Sequence, residues 1–140
     1  MVDYEYHRDG TIPEDGSIFV FGSNLAGYHG AGAAAAAAKN FGAVLGCGTG
    51  LAGRSYAIPT KNSQLETLPI DVIQREVQEF IRYAKAHPRQ RFFVTRVGCG
   101  YAGLADSVMA EMFIGAPRNC SFAERWKPFL QLFAPEENAQ

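Results

Sequence analysis

Lys61 closes a short apolar run, Ser55-Tyr56-Ala57-Ile58, that is stopped by Pro59 and Thr60. A lysine amine held in a cleft is a competent nucleophile, whereas on an open surface it is only a solvated charge, and the local sequence fits either. Cys99 stands between Gly98 and Gly100 at the end of a second apolar run, a place where a thiol can be exposed for attack. No histidine is placed by sequence to activate it, which favours a small buried thiol. His29, in the loop LAGYHG, could donate to a phosphate or ribose oxygen; a lone loop histidine is often structural, and it is carried forward here as a ligand contact.

Around these residues lie three glycine-dense segments, GYHGAG (27–32), GTGLAG (48–53) and GCGYAG (98–103). Glycine lets backbone approach a ligand closely, and free N–H groups at a loop or helix start suit phosphate. The second and third segments formally match the dinucleotide fingerprint GxGxxG, but the context is wrong. The first match precedes a strand where a helix is required, and the second lies too near the end of the chain for the remaining βαβ units and the acidic ribose-binding residue. A Rossmann enzyme is therefore set aside.

The elements that must position these loops follow from periodicity. Residues 18–21, Ile-Phe-Val-Phe, read as a buried strand closed by Gly22-Ser23-Asn24. The alanine run of 31–42 reads as a small-faced helix ended by Gly42, and residues 55–58 as a strand. Over 68–86, Ile70, Ile73, Val77, Phe80, Ile81 and Ala84 recur at helical spacing, with Pro69 and Asp71 in the first turn. Pro88 closes that helix. Residues 92–97 read as another buried strand and 107–114 as a further helix, while the aromatic stretch through Trp126 to Phe133 packs on the body. The lead-in, 1–16, offers no clear strand, and 134–140 reads as a frayed tail. Alternating strands and helices imply one α/β domain over 1–140 with parallel pairing, and ligands in such sheets bind at the carboxyl ends of the strands.

Composition bounds the function. The chain has 140 residues, 47% hydrophobic, with a formal net charge of −1. That suffices for one core and leaves no basic excess for general nucleic-acid binding, although a site for one nucleotide needs only a few placed donors. No apolar run reaches the length of a membrane helix, and the start lacks a secretion layout, so a cytoplasmic protein is expected. Cys47, Cys99 and Cys120 are too widely spaced for a disulfide framework or a zinc site.

The ordered set VFGSN…GYHGAGAA, SYAIPTKN and VTRVGCGYAGL, covering most of residues 17–115, resembles a macro domain. The threonine–lysine pair Thr60-Lys61, together with Arg96-Val97-Gly98-Cys99-Gly100, is most similar to the branch that removes ADP-ribose from acidic side chains or DNA bases. Macro-like proteins of bacteria and phages share the pattern. The resemblance implies a three-layer α/β/α fold, a mixed and mostly parallel sheet with helices on both faces. It implies ADP-ribose, or an ADP-ribosylated macromolecule, as ligand, with no metal or other cofactor. It makes Lys61 the catalytic candidate, as nucleophile at the anomeric carbon of the distal ribose or as positive partner of the leaving group. Ser23, Asn24, Gly30, Ala31, Gly32 and Ala33 would surround the distal ribose and diphosphate. From the other side would come Gly98, Cys99, Gly100, Tyr101, Ala102 and Gly103, with His29 and Thr60 completing the set. Three departures stand out. Tyr101-Ala102 occupies the place where some members of the branch carry an aspartate, which leaves Asp106 as the acid candidate. Asp9 and Asp15 are the counterparts of the adenine-reading aspartate. Residues 116–120 and the Trp126 region do not follow the usual ending. The alternatives are a non-catalytic module for ADP-ribose or an NAD derivative, and an interaction protein with a vestigial pocket.

Overall fold

Ile18–Asn24 forms a strand, β2, whose successive side chains alternate between two apolar layers. The computed structural model describes residues 4–131. In it β2 lies inside a six-stranded sheet with β1 (Glu5–His7), β3 (Gly50–Ala52), β4 (Ser55–Lys61), β5 (Phe92–Val94) and β6 (Cys120–Ala123). The order is β1-β6-β5-β2-β4-β3, with every pairing parallel except β3 against β4.

Ile18 and Val20 of β2, Tyr56 and Ile58 of β4, and Phe92 and Val94 of β5 face one layer. There they meet α2 (Ile70–Ala86), α3 (Asp106–Met112) and α4 (Lys127–Leu130). Ile73, Val77, Phe80, Ile81 and Ala84 of α2 are buried, as their spacing requires, and each large side chain contributes about 1.5–3 kcal/mol by leaving water. Ile70 is the exception, exposed at the first position of the helix. Phe19, Phe21, Ala57 and Phe93 face the opposite layer, which is built by α1 (Gly32–Asn40). The alanine run makes sense here: a helix of small side chains packs directly on an aromatic sheet face, with Phe41 stacked on Phe19 at 4.6 Å between ring centroids. Helices on both faces of a mixed, mostly parallel sheet complete the expected three layers.

Several local expectations are corrected. The lead-in does contain a strand: β1 pairs in parallel with β6, anchored by the Tyr4 hydroxyl donating to the carbonyl of Ala116 at 2.6 Å. The run expected as a strand over 92–97 stops at Val94. There the Thr95 N–H and hydroxyl both donate to the Val20 carbonyl, and the Val97 N–H turns back onto Thr95. The helix expected over 107–114 spans Asp106–Met112. Trp126 is fully buried, in the 3₁₀ turn Glu124–Trp126 before α4, whereas Phe133, expected to pack on the body, and the tail of 134–140 lie outside the described residues.

The second glycine segment is also redefined. Rather than an open loop, part of it is β3, and Gly48 and Gly53, with Gly27 and Gly42 before them, serve backbone packing. A Cβ on Gly48 would stand 2.0 Å from the Asn24 carbonyl oxygen, and one on Gly27, at φ +73°, 2.4 Å from the backbone of Gly46. Gly27→Ala is expected to lower the unfolding free energy by about 2 kcal/mol or more, from forced backbone shift and positive φ together. Urea denaturation reads this directly, and an unchanged midpoint would contradict the close approach.

Among the described residues no helix is long and apolar enough to cross a membrane.

Candidate functional site

Parallel strands place their carboxyl ends along one edge of the sheet, and here that edge is hollow. A cavity of about 710 Å³ is lined by His7, Asn24, Lys61 and Ala123, the last residues of β1, β2, β4 and β6, and by Thr95, the residue after β5. From β1 to β4 there are four inter-strand spacings, about 19 Å, so the cavity suits an elongated ligand with two different ends.

Backbone donors gather at its middle. Gly30, Ala31, Gly32, Ala33 and Ala34 line it at the start of α1. The N-cap residue is Ala31, which has no side chain able to cap, so among the described residues the N–H groups of Gly32, Ala33 and Ala34 meet no acceptor. Free N–H donors with a helix dipole behind them are able to receive a negative group. Opposite, Gly98, Cys99, Gly100, Tyr101 and Ala102 line the cavity, and the N–H groups of Gly100, Tyr101 and Ala102 likewise have no partner among the described residues. Gly22 lets this loop close on β2: a Cβ there would sit 3.1 Å from the Gly98 nitrogen.

The loop is stapled from behind. Arg96 donates to Asp106 through Nε to Oδ1 at 2.8 Å and Nη2 to Oδ2 at 2.7 Å, and Trp126 Nε1 donates to the same Oδ1 at 2.7 Å. The Arg96 bonds hold the Asp106 carboxyl down at about 2. Asp106 is therefore a positioning residue and not a free acid. An unfolded aspartate titrates near 4, so the stabilisation is present above that pH and is lost as pH falls from about 4 towards 2. Asp106→Asn is expected to lower the urea midpoint at pH 7 and to flatten the decline of stability between pH 4 and 2. An unaltered acid limb would assign that decline elsewhere.

The two ends differ. Near β1 and β5 the cavity wall is apolar and flat: His7 stacks on Phe93 with 3.6 Å between centroids, and Phe19 and Ile12 complete the wall. Burial lowers His7 to about 4, so the ring is neutral near pH 7. Asp9 lines this end with its carboxylate 3.2 Å from Arg125 Nε, whereas Asp15 does not line the cavity and binds the backbone N–H and hydroxyl of Ser17. Near β4 stand Thr60, Lys61, Leu65 and Tyr28, with Lys61 Nζ 5.6 Å from the centre of the Tyr101 ring. Among the described residues no hydrogen bond or ion pair engages that amine.

Most of the sequence-derived site residues thus gather on one cavity, with some in supporting positions. The Ser23 hydroxyl donates to the Gly48 carbonyl, Thr60 Oγ1 to the Ser23 carbonyl, and the Asn24 side chain both accepts from the Tyr28 N–H and donates to its carbonyl. His29 and Gly103 do not line the cavity. His29 Nε2 meets the Val44 carbonyl at 3.0 Å and its ring packs edge-on to Phe21, contacts that lie beside the cavity and not in its lining. Gly103 closes the turn by donating to Gly100. Burial, with the Asp106 carboxylate adding to it, pushes the Cys99 thiol up to about 12, which removes it as a nucleophile near neutral pH. Of the apolar end, sequence reasoning singled out only Asp9: His7 and Ile12 sit in the lead-in, and Phe93 reads there only as core.

No protein-family model matches the chain, and no curated protein does. Solved structures do match in fold. The macrodomain of Mycobacterium tuberculosis DarG superposes with a TM-score of 0.62 at 16% identity, covering 86% of this chain and 95% of that one. A protein of unknown function from Bacteroides thetaiotaomicron gives 0.59 at 17% identity over 86% and 97% of the two chains. A second structure from the same organism gives 0.57 at 17% identity over 86% and 99%. At these identities the likeness concerns the fold, which is macrodomain-like.

Proposed function

We propose that the cavity binds ADP-ribose and that the protein hydrolyses the bond between the distal ribose and an attached group. The observation that carries this reading is the layout of the cavity. Unpartnered N–H groups from two glycine loops converge midway along it, a flat apolar wall lies at one end and a lysine at the other. Adenine fits the His7, Phe93 and Ile12 end, where Asp9 offers an acceptor for an exocyclic amine. The diphosphate fits between the start of α1 and residues 98–102. The distal ribose then reaches Lys61. The macrodomain-like fold supports the ligand class, and the finer likeness to the lysine-bearing hydrolase branch rests on Thr60-Lys61 and Arg96–Gly100 alone.

In the reaction the bond from the anomeric carbon to the attached group breaks, water supplies a hydroxyl to that carbon and a proton to the leaving group, and ADP-ribose is released. Lys61 acts at the anomeric carbon, as nucleophile or as cationic partner of the departing group. Asp106 is engaged by Arg96 and Trp126, and Asp9 by Arg125, so neither is a free carboxylate for general base work. That same observation favours the second reading, a module that binds ADP-ribose without cleaving it. Incubation with mono-ADP-ribosylated protein and DNA, followed by detection of free ADP-ribose, separates the two. Release is expected; binding without release from any conjugate would establish the module.

A further inference from the structure

Leu65 is the only non-glycine residue with a positive φ among the described residues, at +64°, in the left-handed region that leucine avoids. It lines the cavity beside Lys61 and is still 49% exposed, so no core packing holds it there. What holds it is a closed loop. The Asn62 N–H donates to the Glu66 carbonyl at 2.8 Å, the Leu65 N–H to the Asn62 carbonyl at 3.0 Å, and Asn62 Oδ1 accepts from the N–H groups of Gln64 and Glu66. Asn62 Nδ2 donates to Glu66 Oε1, and Lys61 and Thr67 form a β-bridge across the base. Backbone strain maintained by so many bonds, at the mouth of a cavity, points to a use for the side chain it presents.

The surroundings indicate the use. Tyr101, 75% exposed, reaches from its loop towards Gly32, where a Cβ would meet its ring at 3.3 Å, and it also lies beside Lys61. Tyr28 is exposed on the same cavity. Apart from the Lys61 amine, which the reading above assigns to the anomeric carbon, the Asn24, Asn62 and Thr67 side chains near this mouth are engaged within the fold: Asn24 with Tyr28, Asn62 with its own loop, and Thr67 Oγ1 with the Ala102 carbonyl at 3.0 Å. A peptide acceptor needs hydrogen-bond partners that these groups no longer offer. A flat ring needs only contact surface, which Leu65, Tyr28 and Tyr101 provide.

We propose that Leu65 is a specificity-determining residue, and that with Tyr101 it receives a planar aromatic group joined to the distal ribose in preference to a peptide carboxyl acceptor. This rests on the ADP-ribose reading above. The test measures binding in the Lys61→Ala background, so that conjugates persist. It compares free ADP-ribose, ADP-ribose carrying a p-nitrophenoxy group at the anomeric carbon, and ADP-ribose esterified to a glutamate peptide. Leu65→Asn is the informative variant, because asparagine accepts the left-handed conformation and removes the apolar surface. The expected result is tighter binding of the aromatic conjugate than of the peptide ester, by fivefold or more. Leu65→Asn should cut that preference to near unity, leave the affinity for free ADP-ribose unchanged and not lower the melting temperature. Equal affinities for the two conjugates, or a preference that survives Leu65→Asn, would overturn the proposal. Absence of ADP-ribose binding by the unaltered protein would instead overturn the reading beneath it.

Discussion

Lys61→Ala is expected to reduce release of ADP-ribose from conjugates by about 10²–10⁴-fold while leaving the affinity for free ADP-ribose within a few-fold of the parent. The asymmetry follows from where the residue stands. Lys61 is the last residue of β4, at one end of the cavity, and the donors proposed to hold the diphosphate belong to other segments, the start of α1 and residues 98–102. Its amine has no hydrogen-bond or ion-pair partner among the described residues, so truncation leaves no orphaned group behind and costs little stability. Single-turnover assays beside calorimetry separate the two effects. Turnover that survives Lys61→Ala would remove the assigned role. A loss of binding as large as the loss of turnover would make the lysine a ligand anchor and not a reacting group.

Gly30→Glu is expected to weaken ADP-ribose binding by about a thousandfold with the fold intact. At Gly30 nothing lies within 4 Å of the position a Cβ would take, and φ is not positive, so a side chain can be added without strain. A carboxylate there faces the start of α1, where the proposed diphosphate sits. Two like charges about 4 Å apart at an effective dielectric near 20 repel by about 4 kcal/mol. Gly32 is a poorer probe. At φ +58°, with the Tyr101 ring 3.3 Å from its Cβ position, a substitution there disturbs the backbone as well as the cavity. An unchanged melting temperature together with lost binding is the expected pair of observations for Gly30→Glu; retained binding would place the anion elsewhere.

The layers and the central strands were legible because alternation and helical spacing are written in large side chains. Phe19 and Phe21 against Ile18 and Val20, and Ile73 to Ala84 on α2, report the two faces of the sheet directly. The edges were not legible. β1 and β3, three residues each, carry no run of buried apolar side chains to mark them, and β1 exists through pairing with a distant segment, β6. The end of β5 at Val94 depends on Thr95 bonding to Val20, a contact across 75 residues that no local propensity encodes. At the site, the glycine loops and Lys61 were visible as punctuation after apolar runs. The division of labour among the glycines was not. Gly27, Gly48 and Gly53 resemble Gly30 and Gly100 in sequence, yet the first three pack backbone on backbone and the last two open onto the cavity. The engagement of Asp106 by Arg96 and Trp126, and of His29 by Val44, likewise depends on contacts that only the folded chain brings together.

Calorimetric titration of the unaltered protein with ADP-ribose, with AMP as the truncated control, tests the central claim most directly. A cavity that uses both its ends and the donors midway along it should give saturable one-to-one binding of ADP-ribose, with AMP weaker by tenfold or more because it lacks the second phosphate and the distal ribose. No heat of binding at millimolar ADP-ribose, or equal affinity for AMP, would contradict it.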